Sequence, residues 1–152
     1  MNTPIEVKSR PETNTMCIRT HTPVEKLKDV LGQSFGAIVQ HIMSHGGQII
    51  DGAYVAYFNM DMSNLDIEIG FPVAVPITST GEIQLGKLNA GKFVTCVYTG
   101  PYEEMEPVYA ALTQYMNEQG LKPTGTAYEF YLNGPETPPA ALQTRIEFPI
   151  TA

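Results

Sequence analysis

The sequence predicts an α+β fold: two pseudo-symmetric strand-helix-strand-strand repeats forming a shared antiparallel sheet, with helices packed on one face and a ligand groove at the repeat junction. Two observations predict it. Short motifs recur at a near-constant spacing along the 152 residues. Each half also carries one apolar helical stripe bracketed by alternating, β-rich runs.

The recurrence runs in order. Ile5-Glu6-Val7 returns after 78 residues as Ile83-Gln84-Leu85, and Thr22-Pro23 returns after 78 as Gly100-Pro101. Ala53-Tyr54-Val55-Ala56-Tyr57-Phe58-Asn59 returns after 74 as Ala127-Tyr128-Glu129-Phe130-Tyr131-Leu132-Asn133, and Phe71-Pro72-Val73 after 77 as Phe148-Pro149-Ile150. The spacing falls by four across the helical segment. Four residues make about one helical turn, so such an insertion leaves the buried face of a helix almost unrotated. The repeats are placed at residues 4–75 and 82–151 of a single domain covering 1–152. A Gly/Pro-rich stretch at 76–81 separates them. It is short, so the halves share one core, and neither half alone is long enough to be comfortably stable.

Each element has its local reason. Residues 15–20 form a short β-rich run, and Pro23 opens a helix, where proline is tolerated in the first turn. Val24, Leu27, Leu31, Phe35, Ile38 and Ile42 follow at spacings of three and four, which is one helical face. Gly46-Gly47 ends it. In the second half Met105, Val108, Leu112 and Tyr115 form the stripe and Gly120 closes it. Pro107 would remove a hydrogen bond inside a helix, so the regular helix starts near Glu104 with Pro107 in its first turn. The strands alternate: Leu65, Ile67, Ile69 and Phe71 form one face of theirs, and Asp66 and Glu68 the other. In 127–133, Glu129 and Tyr131 share a face opposite Tyr128 and Phe130. The last strand presents Arg145 and Glu147 on its polar face. The apolar faces are expected under the two helices, and the opposite faces are expected to meet across the pseudo-two-fold.

Composition bounds the function. Apolar residues make up 43% and charged ones 16%, a globular balance. The net charge of −7, with nine Lys and Arg residues scattered along the chain, argues against direct nucleic-acid binding, which needs a dense basic face. No apolar run is long enough to span a bilayer, and residues 1–10 lack a signal pattern. The expected location is cytoplasmic. Cys17 and Cys96 are expected as buried, reduced thiols. His41 and His45 stand four apart, a spacing compatible with a metal pair, but no neighbour completes a site. No metal or cofactor is expected. No Ser-centred elbow, phosphate loop or dinucleotide fingerprint appears; Gly134-Pro135 and Gly91-Lys92 are turn signals.

The ordered set Tyr98-Thr99-Gly100-Pro101-Tyr102-Glu103, Tyr128-Glu129-Phe130-Tyr131-Leu132-Asn133-Gly134-Pro135 and Arg145-Ile146-Glu147-Phe148-Pro149-Ile150 is similar to the second half of GyrI-like domains, the AraC-type effector-binding family. Asp66-Ile67-Glu68-Ile69-Gly70-Phe71-Pro72-Val73 resembles the corresponding stretch of their first half. The match covers about 4–151. The resemblance implies a duplicated unit with the ligand groove at the repeat junction, in a family of multidrug-responsive regulators, gyrase inhibitors and hydrolases of cyclopropane-containing genotoxins. It further implies that Glu129, in the Tyr-Glu-x-Tyr strand, meets a ligand's positive charge. Two departures stand out. The family's regulators carry a DNA-binding segment for which this chain has no room, which suggests a stand-alone form. Glu147 also stands where an aromatic is common, which makes the expected groove more acidic.

The residues lead to a similar place on their own. A mid-strand carboxylate in an apolar neighbourhood is costly unless paired. Glu129 has no sequence-local cation, and its repeat partner Val55 is apolar. Tyr57 and Tyr131 occupy equivalent positions and should flank the groove, where aromatic faces attract cations by about 0.5–2 kcal/mol per contact. The expected ligand-binding residues are Glu129, Tyr131, Tyr57, Glu68, Glu147 and Phe71, for small cationic amphipathic or aromatic molecules. The plainer readings stay open: Glu129 paired with Arg145 across the strands, the tyrosines as cross-strand packing, and Asp66 and Glu68 as a solvated sheet face. Hydrolysis of an electrophile, with Glu129 activating water and Tyr131 donating a hydrogen bond, is the enzymatic alternative, and binding is preferred because catalysis also needs a placed water. A protein-interaction role, as in a gyrase inhibitor, is the third. Exposed edge strands would permit a homodimer, and a separate regulator protein is the other partner that fits.

Overall fold

A computed structural model describes residues 2–134 and 136–151; Pro135, the second residue of one turn signal, lies outside the described residues. The described residues form eight strands and two helices, in the order β1 (Glu6–Arg10), β2 (Thr13–Thr22), α1 (Leu27–Ser44), β3 (Ala53–Tyr57), β4 (Leu65–Pro72), β5 (Gln84–Leu88), β6 (Gly91–Thr99), α2 (Glu106–Gln119), β7 (Ala127–Tyr131) and β8 (Gln143–Pro149). Short 3-10 turns lead into both helices, at Val24–Lys26 and Tyr102–Glu104, each preceded by an extended proline, Pro23 or Pro101. Pro107 falls in the first turn of α2, where its missing N–H is harmless. Gly120 ends α2 in the left-handed conformation, φ 68°, which a residue with a Cβ adopts only at a cost.

The strands form one antiparallel sheet in the order β1-β6-β8-β7-β3-β4-β2-β5. Exchanging each strand with the one four places on reverses this order onto itself. The exchange centre lies between β3 and β7, where Val55 faces Glu129, Ala53 faces Tyr131 and Tyr57 faces Ala127. The first strand of each half pairs in the other half: β1 adds to β6, and β5 to β2. These exchanged arms join the halves in one sheet.

Both helices pack on the same face of the sheet. α1 places Ile38 and Ile42 over Met16, Val55, Ile67 and Ile69. α2 places Val108, Leu112 and Met116 over Val94, Cys96 and Ile146. Full burial of such a side chain is worth about 1.5–3 kcal/mol, so these two clusters carry the fold. The helix-free face has its own small cluster of Tyr54, Leu88 and Phe130. Its tight point is Gly70, where a Cβ would come within 2.7 Å of the Met16 carbonyl oxygen and 2.9 Å of the Tyr54 hydroxyl.

Candidate functional site

The strand registers sort the expected binding residues onto two faces. Ile69, Val55, Glu129 and Ile146 lie in one cross-strand row on the helix-covered face. Glu129 is therefore a carboxylate set in the apolar row itself, at the junction of the halves. Tyr57 and Tyr131 stand two residues from this row on either side, on the same face. Phe71 belongs to the same face, packed against the α1 cluster.

The carboxylate is held by tyrosines. Tyr131 Oη donates to Glu129 Oε1 at 2.8 Å. Tyr109, from α2, donates to Oε2 in a short hydrogen bond. Tyr57 lies near Tyr131 on the same face, and the charge of Glu129 acts on both hydroxyls. No cationic side chain pairs with Glu129 among the described residues. Burial raises the carboxyl above its ordinary pKa, and the two tyrosine hydrogen bonds oppose the shift without cancelling it. Burial, with the charge of Glu129 next, likewise pushes the Tyr57, Tyr109 and Tyr131 hydroxyls upward, so all three are neutral donors at neutral pH.

Aromatic rings from both halves cluster around these tyrosines. Phe35 of α1 meets Phe71 edge-on at 5.6 Å and Tyr131 at 6.2 Å. Tyr102 meets Tyr131 edge-on at 5.4 Å and is exposed. Tyr109 meets Phe148 edge-on at 5.5 Å. The sequence reading did not single out Phe35, Tyr102 or Tyr109 for the site. Tyr109 is four residues after Met105 and three before Leu112, so it shares their helical face. That spacing could have flagged it.

Glu68 and Glu147 are not brought together with Glu129. Arg19, Glu68, Ala56, Tyr128 and Glu147 form the next cross-strand row, one residue on, and so face the opposite side. The Tyr54 hydroxyl donates to Glu68 Oε2 at 2.7 Å. Glu147 is fully buried between Arg10 and Arg145. The expected acidic groove holding both Glu129 and Glu147 is thus corrected: a one-residue step along a strand moves a side chain through the sheet. The cross-strand pair Glu129–Arg145 is absent for the same reason, since Arg145 binds Asp51 at 2.6 Å and Glu147 at 2.8 Å on the far face.

The remaining candidates are plainer. His45 Nδ1 lies 2.9 Å from the His41 carbonyl oxygen, at the end of α1, and His41 Nε2 lies 2.7 Å from that of Thr78, in the segment between the halves, so both rings are engaged locally. No cluster of potential metal ligands is present among the described residues. Cys17 and Cys96 are buried free thiols, and burial raises Cys17 to about 11. No helix among the described residues is long and apolar enough to cross a membrane.

The family model for the GyrI-like small molecule binding domain matches residues 3–151. The chain belongs to this family. No curated protein sequence matches it. Among solved structures, this GyrI-like domain resembles the EcmrR C-terminal domain, with TM-score 0.86 and 22% identity over 97% of each chain. In the EcmrR–DNA complex the likeness covers 97% of this chain and 57% of that one, so the domain spans little more than half of that relative's length. A hydrolase from Listeria innocua matches with TM-score 0.71 and 18% identity over 97% of this chain and 91% of that one. SAV2435, solved bound to tetraphenylphosphonium, matches with TM-score 0.65 and 11% identity over 99% and 95%. At these identities the likeness shows the shared fold.

Proposed function

We propose that this GyrI-like domain binds small cationic aromatic molecules over the β3/β7 junction, with Glu129 as the charge partner and Tyr57, Tyr109, Tyr131 and Phe71 as the aromatic surround. In this reading the halves at 4–75 and 82–151 act as duplicated units that meet at the site. The observation that carries it is Glu129 itself: a carboxylate in a buried apolar row, with tyrosine hydroxyls as its only hydrogen-bond partners among the described residues. Its register partner Val55 is fully buried and apolar, so packing at this position needs no charge. An entering cation would replace a hydroxyl as the partner of Oε2, and the rings would supply nondirectional contacts that tolerate varied shapes. SAV2435, of the same fold, is solved with a lipophilic cation of this class. Partnership with a regulator is in keeping with the likeness to a domain of a DNA-bound complex.

The test is calorimetric titration with tetraphenylphosphonium, comparing the native chain with Glu129→Gln, which keeps shape and removes charge. Micromolar binding, about 8 kcal/mol, is the expected scale. Binding that weakens tenfold or more in the variant supports the reading. Equal binding by both proteins, or none by either, assigns Glu129 a structural role. The hydrolytic alternative rests on the same groups, with Glu129 as base and Tyr131 as donor. It predicts Glu129-dependent product formation from a cyclopropane electrophile.

A further inference from the structure

The helix-free face carries a crevice that the Glu129 site does not use. Two adjoining cavities, about 250 and 340 Å³, share Arg10 and Phe93. The larger is lined by Phe58, Leu88, Phe93, Thr126 and Tyr128, with Arg10 and Lys92 as its only charged residues. The smaller adds Lys8, Asp51, Arg145 and Glu147. Four cations thus face two carboxylates, on a chain whose net charge is −7. Local charge of this sign against the overall balance favours an anion.

The two arginines are not equivalent. Arg145 engages Nε, Nη1 and Nη2 with Glu147 and Asp51. Arg10 is in ion-pair contact with Glu147 through Nη2 and makes no side-chain hydrogen bond of the Arg145 kind among the described residues, although only 16% of its side chain is exposed. Its remaining N–H groups meet no acceptor among the described residues. Its guanidinium lies over the Phe93 ring at 4.3 Å and within 5.5 Å of the Phe130 centroid, which fixes its plane. Burial and the nearby Arg145 disfavour its charged form, which an anion in the crevice would favour. A guanidinium held in plane with free donors suits a carboxylate.

We propose that this crevice is a second ligand site, which takes a small aromatic carboxylate: the carboxylate on Arg10, the ring among Phe58, Phe93 and Tyr128. The site is opposite in charge to the proposed Glu129 site and lies on the other side of the sheet.

The test uses 2-naphthoate, followed by its fluorescence anisotropy, with neutral 2-naphthamide as control. The native chain is expected to bind naphthoate saturably and naphthamide at least tenfold more weakly. Thr126→Phe, which fills the crevice, is expected to weaken naphthoate at least tenfold. The double change Arg10→Gln with Glu147→Gln removes the buried pair together, leaves no carboxylate stranded, and is expected to do the same. Circular dichroism checks that both variants fold, and Glu129→Gln is expected to leave naphthoate binding unchanged. The proposal is overturned by absent saturation, by equal binding of acid and amide, or by loss that follows Glu129→Gln instead of the crevice variants. Failure here leaves the tetraphenylphosphonium result standing, because the two sites share no residue.

Discussion

The proposed cation binding has its sharpest test in pH dependence, because of where Glu129 sits. Tetraphenylphosphonium carries a permanent charge, so the ligand itself does not titrate. At about 5 Å from the carboxylate, with an effective dielectric of about 20, its attraction to an ionised Glu129 is about 3 kcal/mol. That corresponds to about two decades in Kd. In the free protein burial raises the Glu129 carboxyl above its ordinary pKa. A bound cation favours the ionised form and lowers it again, so binding in this window releases a proton. Below the free-state pKa, apparent affinity is expected to fall by about tenfold per pH unit. The fall ends at the affinity of Glu129→Gln. Above that pKa the affinity is level, since the surrounding tyrosines, all raised by burial, stay neutral. Titration calorimetry across mildly acidic to neutral pH, in two buffers of different ionisation enthalpy, measures both affinity and proton release. Affinity independent of pH throughout, or an equal slope in Glu129→Gln, would refute the reasoning.

Three further outcomes follow from contacts already described. Tyr109→Phe removes a hydroxyl that favours the charged form of Glu129, so the midpoint of that pH profile is expected to move upward, while stability falls by about 1 kcal/mol in urea denaturation. Gly70→Ala drives a Cβ against the Met16 carbonyl oxygen and the Tyr54 hydroxyl, and is expected to cost about 1–3 kcal/mol, read as a lower urea midpoint with an unchanged slope. Cys17 and Cys96 are expected to resist a thiol-reactive aromatic disulfide at pH 8 in the native protein and to react promptly in denaturant, because burial raises both thiols; prompt native reaction would show that the sheet opens at these strands.

Glu129→Gln also separates stability from function. A carboxyl raised on folding contributes stability that is present below its unfolded pKa and lost as pH rises through the folded one. The native chain carries that loss toward neutral pH, whereas the Gln variant does not. On the proposed reading, this cost in the empty protein is one that a bound cation would offset.

What the sequence determined by itself was local and periodic. The stripe from Leu27 to Ile42 reports the face of α1, since helical spacing is set within a few residues, whereas Val24 falls in the preceding 3-10 turn and is exposed. Pro101, Pro107 and Gly120 punctuate α2 through backbone geometry that depends on no distant partner. Glu129 could be picked out because a charge in an apolar strand, opposite an apolar counterpart in the recurring motif, is unusual wherever the chain goes. What the tertiary structure decided was register. Alternation within one strand says which residues share a side, but not which side of a neighbouring strand they join. The pairing of Glu129 with Val55 and Ile146 put it with Tyr57 and Tyr131 beneath the helices, and the pairing of Tyr128 with Glu147 put Glu147 among arginines on the far face. The exchanged arms β1 and β5, the reach of Tyr109 from α2, and the meeting of Arg10 with Glu147, 137 positions apart in sequence, are likewise long-range. Each depends on closing the whole sheet, whose strand order no local interaction encodes.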